Sequence, residues 1–103
     1  MKSYFVYKLI PPRPTFITDM NEAEKAIMGQ HSAYWLGLME QGIVDVDVVV
    51  IGPVLDPAGG WGLAVIQADS MDQVRHYAAS DPAVKSGMAT FDVFAMPRAA
   101  VRS

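Results

Sequence analysis

An α+β sandwich with elements in the order β-α-β-β-α-β is the fold this sequence predicts, and three observations carry the prediction. Residues Ile43–Ile51, IVDVDVVVI, alternate with a period of two, as a strand with unlike faces does. Residues Met20–Leu38 repeat apolar side chains at helical spacing. Proline, glycine, serine and aspartate cluster where such elements have to start and stop.

Ser3–Ile10 is rich in aromatic and β-branched residues, the composition of a first strand. Pro11-Pro12-Arg13-Pro14-Thr15-Phe16 ends it, because proline cannot donate to a ladder. Residues 10–18 then form an extended arm whose Phe16 needs a surface to cover it. Thr18-Asp19 offers an N-cap, and Asp19 with Glu22 has the spacing of a capping box. The helix that follows runs to about Gln41, with Gly42 as its stop. At about 100° per residue from Ile27, Met20, Ala23, Tyr34, Trp35 and Leu38 fall within roughly 80° of one line, opposite Glu22 and Lys25. Gly29 and Gly37 each weaken this helix by about 1 kcal/mol relative to alanine, which predicts close approach of another segment as compensation.

In the second strand, Ile43–Ile51, Val44, Val46, Val48 and Val50 share one face, while Asp45, Asp47, Val49 and Ile51 share the other. Gly52-Pro53 ends the alternation, and Asp56-Pro57-Ala58-Gly59-Gly60 is a turn by composition. Trp61–Ala68 is a third strand, antiparallel to the second across that turn. Ser70 with Gln73 caps a helix from Met71 to about Ser80. Asp81-Pro82 reads as a cap and first-turn proline opening a short helix that ends at Gly87. Met88–Met96 is the fourth strand, and residues 97–103 are a tail. The order is the ferredoxin-like pattern, in which two helices cover one face of a four-stranded antiparallel sheet. The other face should be polar in a monomer. Both faces instead carry large apolar groups: Tyr4, Val6 and Ile10 against Phe5, Tyr7 and Leu9, Leu63 and Val65 against Ile66, and Phe91 and Val93 against Phe94 and Met96. That predicts a homodimer packed sheet against sheet.

At 103 residues the chain is one domain, with 51% hydrophobic and 18% charged residues and no internal repeat or linker. A net charge of −3 with scattered Lys and Arg offers no footprint for nucleic acid or an anionic membrane. The absence of cysteine removes disulfides and thiolate chemistry and suits a reducing cytoplasm. MKSYFVYKLI is too short for a secretory segment, and no apolar run is long enough to span a bilayer.

His31 is the residue out of place. It falls inside the apolar stripe, where an imidazole must find a hydrogen-bond partner. The ordinary reading is a core histidine bonded to a backbone carbonyl. The sharper one is a general acid or base, since imidazole is the side chain whose ordinary titration lies nearest neutral pH. Asp81 is the candidate partner, because the helix before it should lie beside the first. One of its oxygens can cap while the other holds an imidazole N–H. Trp35 and Tyr34 lie close to His31 along the helix and, with Phe16 of the arm, are candidates to wall a pocket. Arg13 is a candidate for an anionic ligand, with surface charge as its default reading. Asp45 and Asp47 read as a solvated rim, with no histidine at ligand spacing, so no metal is expected. His76 falls on a solvated helix side. Gly59-Gly60-Trp61-Gly62 precedes a strand and is no phosphate loop, and no cofactor is implied.

Three short motifs stand in order: His31 followed by Tyr34-Trp35, Gly52-Pro53-Val54 closing a strand, and Asp81-Pro82 after the second helix. Together they resemble the YCII-related (YciI-like) domain family over roughly Met28–Met96, and the PPRPTF arm resembles that of one subgroup. The resemblance implies a dimeric α+β barrel, two ferredoxin-like units joined through their sheets. It also implies a pocket in which the family's proposed His–Asp dyad maps onto His31 and Asp81. A related dehydrochlorinase uses such a dyad on a chlorinated aromatic ring. The expected function is therefore acid/base chemistry on a small organic molecule by isomerisation, elimination or lactone-type reaction. The alternative is a non-catalytic binding or accessory domain in which the pair secures the fold.

Overall fold

The structure, a computed structural model, describes residues 2–42 and 46–102. Its elements run β1 (Ser3–Ile10), α1 (Phe16–Asp19), α2 (Glu22–Gln41), β2 (Val46–Val54), β3 (Trp61–Ala68), α3 (Met71–Ala79), α4 (Pro82–Lys85) and β4 (Thr90–Met96). The strands form one antiparallel sheet in the order β2-β3-β1-β4. Alternate residues of β1, namely Phe5, Tyr7 and Leu9, face the helices and are buried with Ala64, Ile66, Val74 and Ala78. From α2, Trp35 and Leu38 complete this core, and His31 lies in the same buried row. Ala23, expected in the apolar stripe, is exposed, while Met28 packs against the core from the stripe's edge.

The start of the long helix differs from expectation. Asp19 belongs to the separate turn α1, and its carboxylate accepts from Arg13 Nε at 2.8 Å and Thr15 Oγ1 at 2.6 Å. The capping box is Asn21 with Glu24: Glu24 N donates to Asn21 Oδ1 at 2.8 Å and Asn21 N to Glu24 Oε1 at 2.9 Å. Asp19 was spent on the arm, so the next residue pair of the right spacing caps the helix. Neither Gly29 nor Gly37 is approached by another segment; a Cβ at either would meet open space. The expected compensation is absent, and both glycines, Gly29 exposed and Gly37 half-buried, simply weaken the helix.

Strand β2 runs through Gly52-Pro53 to Val54 instead of stopping there. It is an edge strand, so Pro53 can lack an N–H on the solvent side without breaking the ladder. A bulge between Val48 and Val50 also reverses the alternation. Val48 is buried, but Val50 turns outward and is 49% exposed, while Ile51, opposite Ala64, turns towards the helices. Asp47 is exposed on the outer face, and Asp45, the other half of the acidic pair, lies outside the described residues. On that outer face Val50, Val65, Val6 and Phe94 stand opposite one another in a row across all four strands. No helix of the described residues is long and apolar enough to cross a membrane.

Candidate functional site

The break between α3 and α4 places the key acid. Asp81 is the N-cap of α4, and its Oδ1 accepts from Ala83 N at 2.9 Å, with Pro82 at the first helical position. The second oxygen faces inward, and Asp81 as a whole is 0% exposed. Three side chains donate to this Oδ2: His31 Nδ1 at 2.7 Å, Trp35 Nε1 at 2.7 Å and Tyr7 Oη at 2.8 Å. His31 and Trp35 are four residues apart on α2 and therefore project from the same side. Tyr7 reaches up from the centre of the sheet, its ring 4.8 Å from that of Trp35.

The electrostatics follow from that cluster. Burial alone would raise the Asp81 carboxyl. The hydrogen bonds from His31 and Trp35, the charge His31 can carry and the Tyr7 hydroxyl outweigh it and hold the group below the usual carboxylate range. Burial pushes the Tyr7 hydroxyl far up, and the neighbouring Asp81 charge pushes it further, so Tyr7 stays a donor. An ionised carboxylate only accepts, so His31 Nδ1 must carry the proton of this contact. Its other nitrogen, Nε2, has no hydrogen bond to a described residue. Every fully buried side-chain nitrogen and oxygen among the described residues has a partner, so Nε2 is open.

It opens on a cavity of about 420 Å³ between α1, α2 and the β2–β3 hairpin, within the range of small-molecule sites. Phe16, Trp35, Met28 and Ile51 are among its walls, and Tyr7 and His31 among its polar lining. Of the residues singled out from sequence, the structure brings His31, Asp81 and Trp35 into direct contact and sets Phe16 against the cavity. Tyr34 is not among the lining residues. Its hydroxyl donates to the Tyr77 carbonyl at 2.7 Å and ties α2 to α3, and its ring meets Trp35 edge-on. Arg13 is also outside the cavity. Its guanidinium forks onto Glu24 at 2.7 and 2.8 Å and bonds Asp19, fastening the arm to the start of α2. It therefore serves carboxylates of its own chain.

Tyr7 is the member the sequence reading passed over. The signal was present: alternation in β1 puts Tyr7 between Phe5 and Leu9 on the core face, where a phenol needs a partner. Ile51 was hidden by the bulge, which periodicity does not reveal. Among the described residues no three His, Asp or Glu side chains gather as a metal-binding group.

A family model described as the YCII-related domain matches residues 5–97 of the chain. Among solved structures, the chain is similar to 5-chloro-2-hydroxyhydroquinone dehydrochlorinase (TftG) from Burkholderia phenoliruptrix, in complex with 2,5-dihydroxybenzoquinone. The TM-score is 0.59 at 20% identity, covering 86% of this chain and 89% of that one, a likeness of fold. A hydantoinase/carbamoylase family amidase from Burkholderia ambifaria aligns with a TM-score of 0.47 at 11% identity, over 95% of this chain and 28% of the other, too distant to bear on function. No curated protein matches the sequence.

Proposed function

Because the chain belongs to the YCII-related domain family, we propose that it is a small-molecule enzyme in which His31 is the general acid/base and Asp81 its positioning partner. The observation that carries this reading is the 2.7 Å contact of Nδ1 with a wholly buried carboxylate while Nε2 opens on the cavity. Asp81 fixes the tautomer with the lone pair on Nε2 and stabilises the imidazolium that forms when Nε2 takes a proton. The electron pair left on the substrate either expels a leaving group, an elimination, or accepts the proton back at another atom, an isomerisation. Tyr7 and Trp35 hold Asp81 in place, their own protons committed to it. The dehydrochlorinase of similar fold binds dihydroxybenzoquinone, which makes hydroxylated and chlorinated rings the first substrates to try.

The test is turnover of a panel of such rings by wild type, His31→Ala and Asp81→Asn. Losses of about 10²–10⁴-fold are expected where a group transfers the proton or holds the one that does. Unchanged turnover in both variants ends the assignment. A purely structural pair is the second reading, favoured by the four hydrogen bonds that already occupy Asp81. Under that reading His31→Gln lowers the melting temperature and alters no chemistry.

The working unit of this proposal is a homodimer joined through the outer sheet face. The row Val50, Val65, Val6 and Phe94 supports it, with Phe94 52% exposed in the single chain. Sedimentation at micromolar concentration should give a dimer that Phe94→Glu dissociates; a wild-type monomer rejects it. A cysteine-free composition suits a cytoplasmic setting.

A further inference from the structure

We propose that the cavity selects an uncharged ring compound bearing one weakly acidic hydroxyl and rejects carboxylates of the same size. The inference deepens the acid/base reading above and rests on it for the place of the hydroxyl. Among the described residues lining the cavity none is Asp, Glu, Lys or Arg. Most of the lining is hydrocarbon or ring, and its polar groups are largely spoken for. The Tyr7 hydroxyl and the Trp35 indole N–H are both committed to Asp81, and Trp61 Nε1 donates to Asp56 at 3.2 Å. Of the side-chain polar groups in the lining, His31 Nε2 and the exposed Ser32 hydroxyl remain.

The charge behind His31 decides which ligand can use that nitrogen. Nδ1 already bears the proton given to Asp81, so uncharged His31 presents a lone pair and seeks a donor. A phenol or enol supplies one while its ring enters the apolar space. A carboxylate supplies none. It would lose water on entering, meet no cation in the lining and face the buried Asp81 charge beyond the imidazole. If His31 gains a proton, that positive charge is already matched by Asp81, leaving the newcomer uncompensated. A substrate that yields its proton here forms the imidazolium, whose charge Asp81 already matches, and the lining holds no further positive side chain for the resulting anion. Its own conjugation must spread that charge, which is the further reason for a ring-borne hydroxyl over an aliphatic one.

Calorimetric titration of the full chain at neutral pH with para-chlorophenol, para-chlorobenzoate and chlorobenzene tests this. The phenol should bind at least about ten-fold more tightly than either other probe. His31→Gln, which can still donate an amide N–H to Asp81, should remove the advantage over chlorobenzene. Binding of the benzoate as tightly as the phenol, equal binding of all three, or no binding of the phenol at millimolar concentration overturns the proposal. Phenol selectivity without His31-dependent turnover of any ring would sink the enzymatic reading and leave this one standing. Benzoate preference with such turnover would do the reverse.

Discussion

The Tyr7 hydroxyl lies 2.8 Å from Asp81 Oδ2, joining residues 74 positions apart and tying the centre of the sheet to the cap of α4. It is the third side-chain donor on a single carboxylate oxygen, and with it the acid that orients His31 is held from β1, α2 and its own helix at once.

Tyr7→Phe keeps the ring packing and removes that donor. Hydrogen bonds to buried charged groups are worth roughly 1.5–3 kcal/mol, and a loss of that order is expected in denaturant unfolding. A variant as stable as wild type would show that the tyrosine hydroxyl adds nothing to holding Asp81.

The pH dependence of stability follows from the depressed Asp81 carboxyl. An unfolded aspartate titrates at about 3.9, and in the folded chain the group titrates lower. Its contribution is therefore fully present above the unfolded value and is lost as pH falls through the folded one. Asp81→Asn should unfold more readily at neutral pH and show a shallower loss of stability on acidification. Parallel acid profiles for the two proteins would contradict this.

Arg13 is the fastening of the arm. Its fork onto Glu24 holds that carboxyl down to about 2, so the contact persists until pH falls through that value. Arg13→Ala should free residues 11–19 and speed hydrogen exchange at Phe16–Asp19. Ligand binding should weaken with it, because Phe16 and Ile17 line the cavity. Arg13→Lys should restore little, since an ammonium cannot reproduce the two-pronged contact. Unaltered exchange in Arg13→Ala would refute this role.

Two glycine substitutions should move stability in opposite directions. Gly29→Ala meets open space in a helix and should stabilise by about 0.5–1 kcal/mol. Gly59 has φ +139°, and a Cβ there would sit 3.0 Å from the Pro14 backbone. Gly59→Ala should therefore destabilise by about 1–3 kcal/mol and displace the arm. Thermal unfolding of the pair measures both signs.

Much of the architecture was legible in the residue order, because periodicity and caps are local properties. The alternation in β1 and β3, the Ser70 cap of α3 and the Asp81-Pro82 start of α4 each depend on neighbours a few positions away. The same locality explains the misreadings. Asp19 and Asn21 offer equivalent capping chemistry, and only the arm folding back put Arg13 on Asp19 and left Asn21 to cap. Pro53 argues for a strand end unless the strand is known to lie at an edge, which is a property of the assembled sheet.

By itself the sequence determined the order of the four strands and the main helices and the presence of an imidazole in an apolar stripe, because strand and helix periodicity are local properties. Tertiary structure alone decided what that imidazole meets. Four donors from three elements converge on Asp81, Nε2 is left facing a cavity, and Tyr34 and Arg13 are turned to other work. Such contacts span 46 to 74 residues, and their geometry is set by how helices seat on the sheet, which no local pattern encodes.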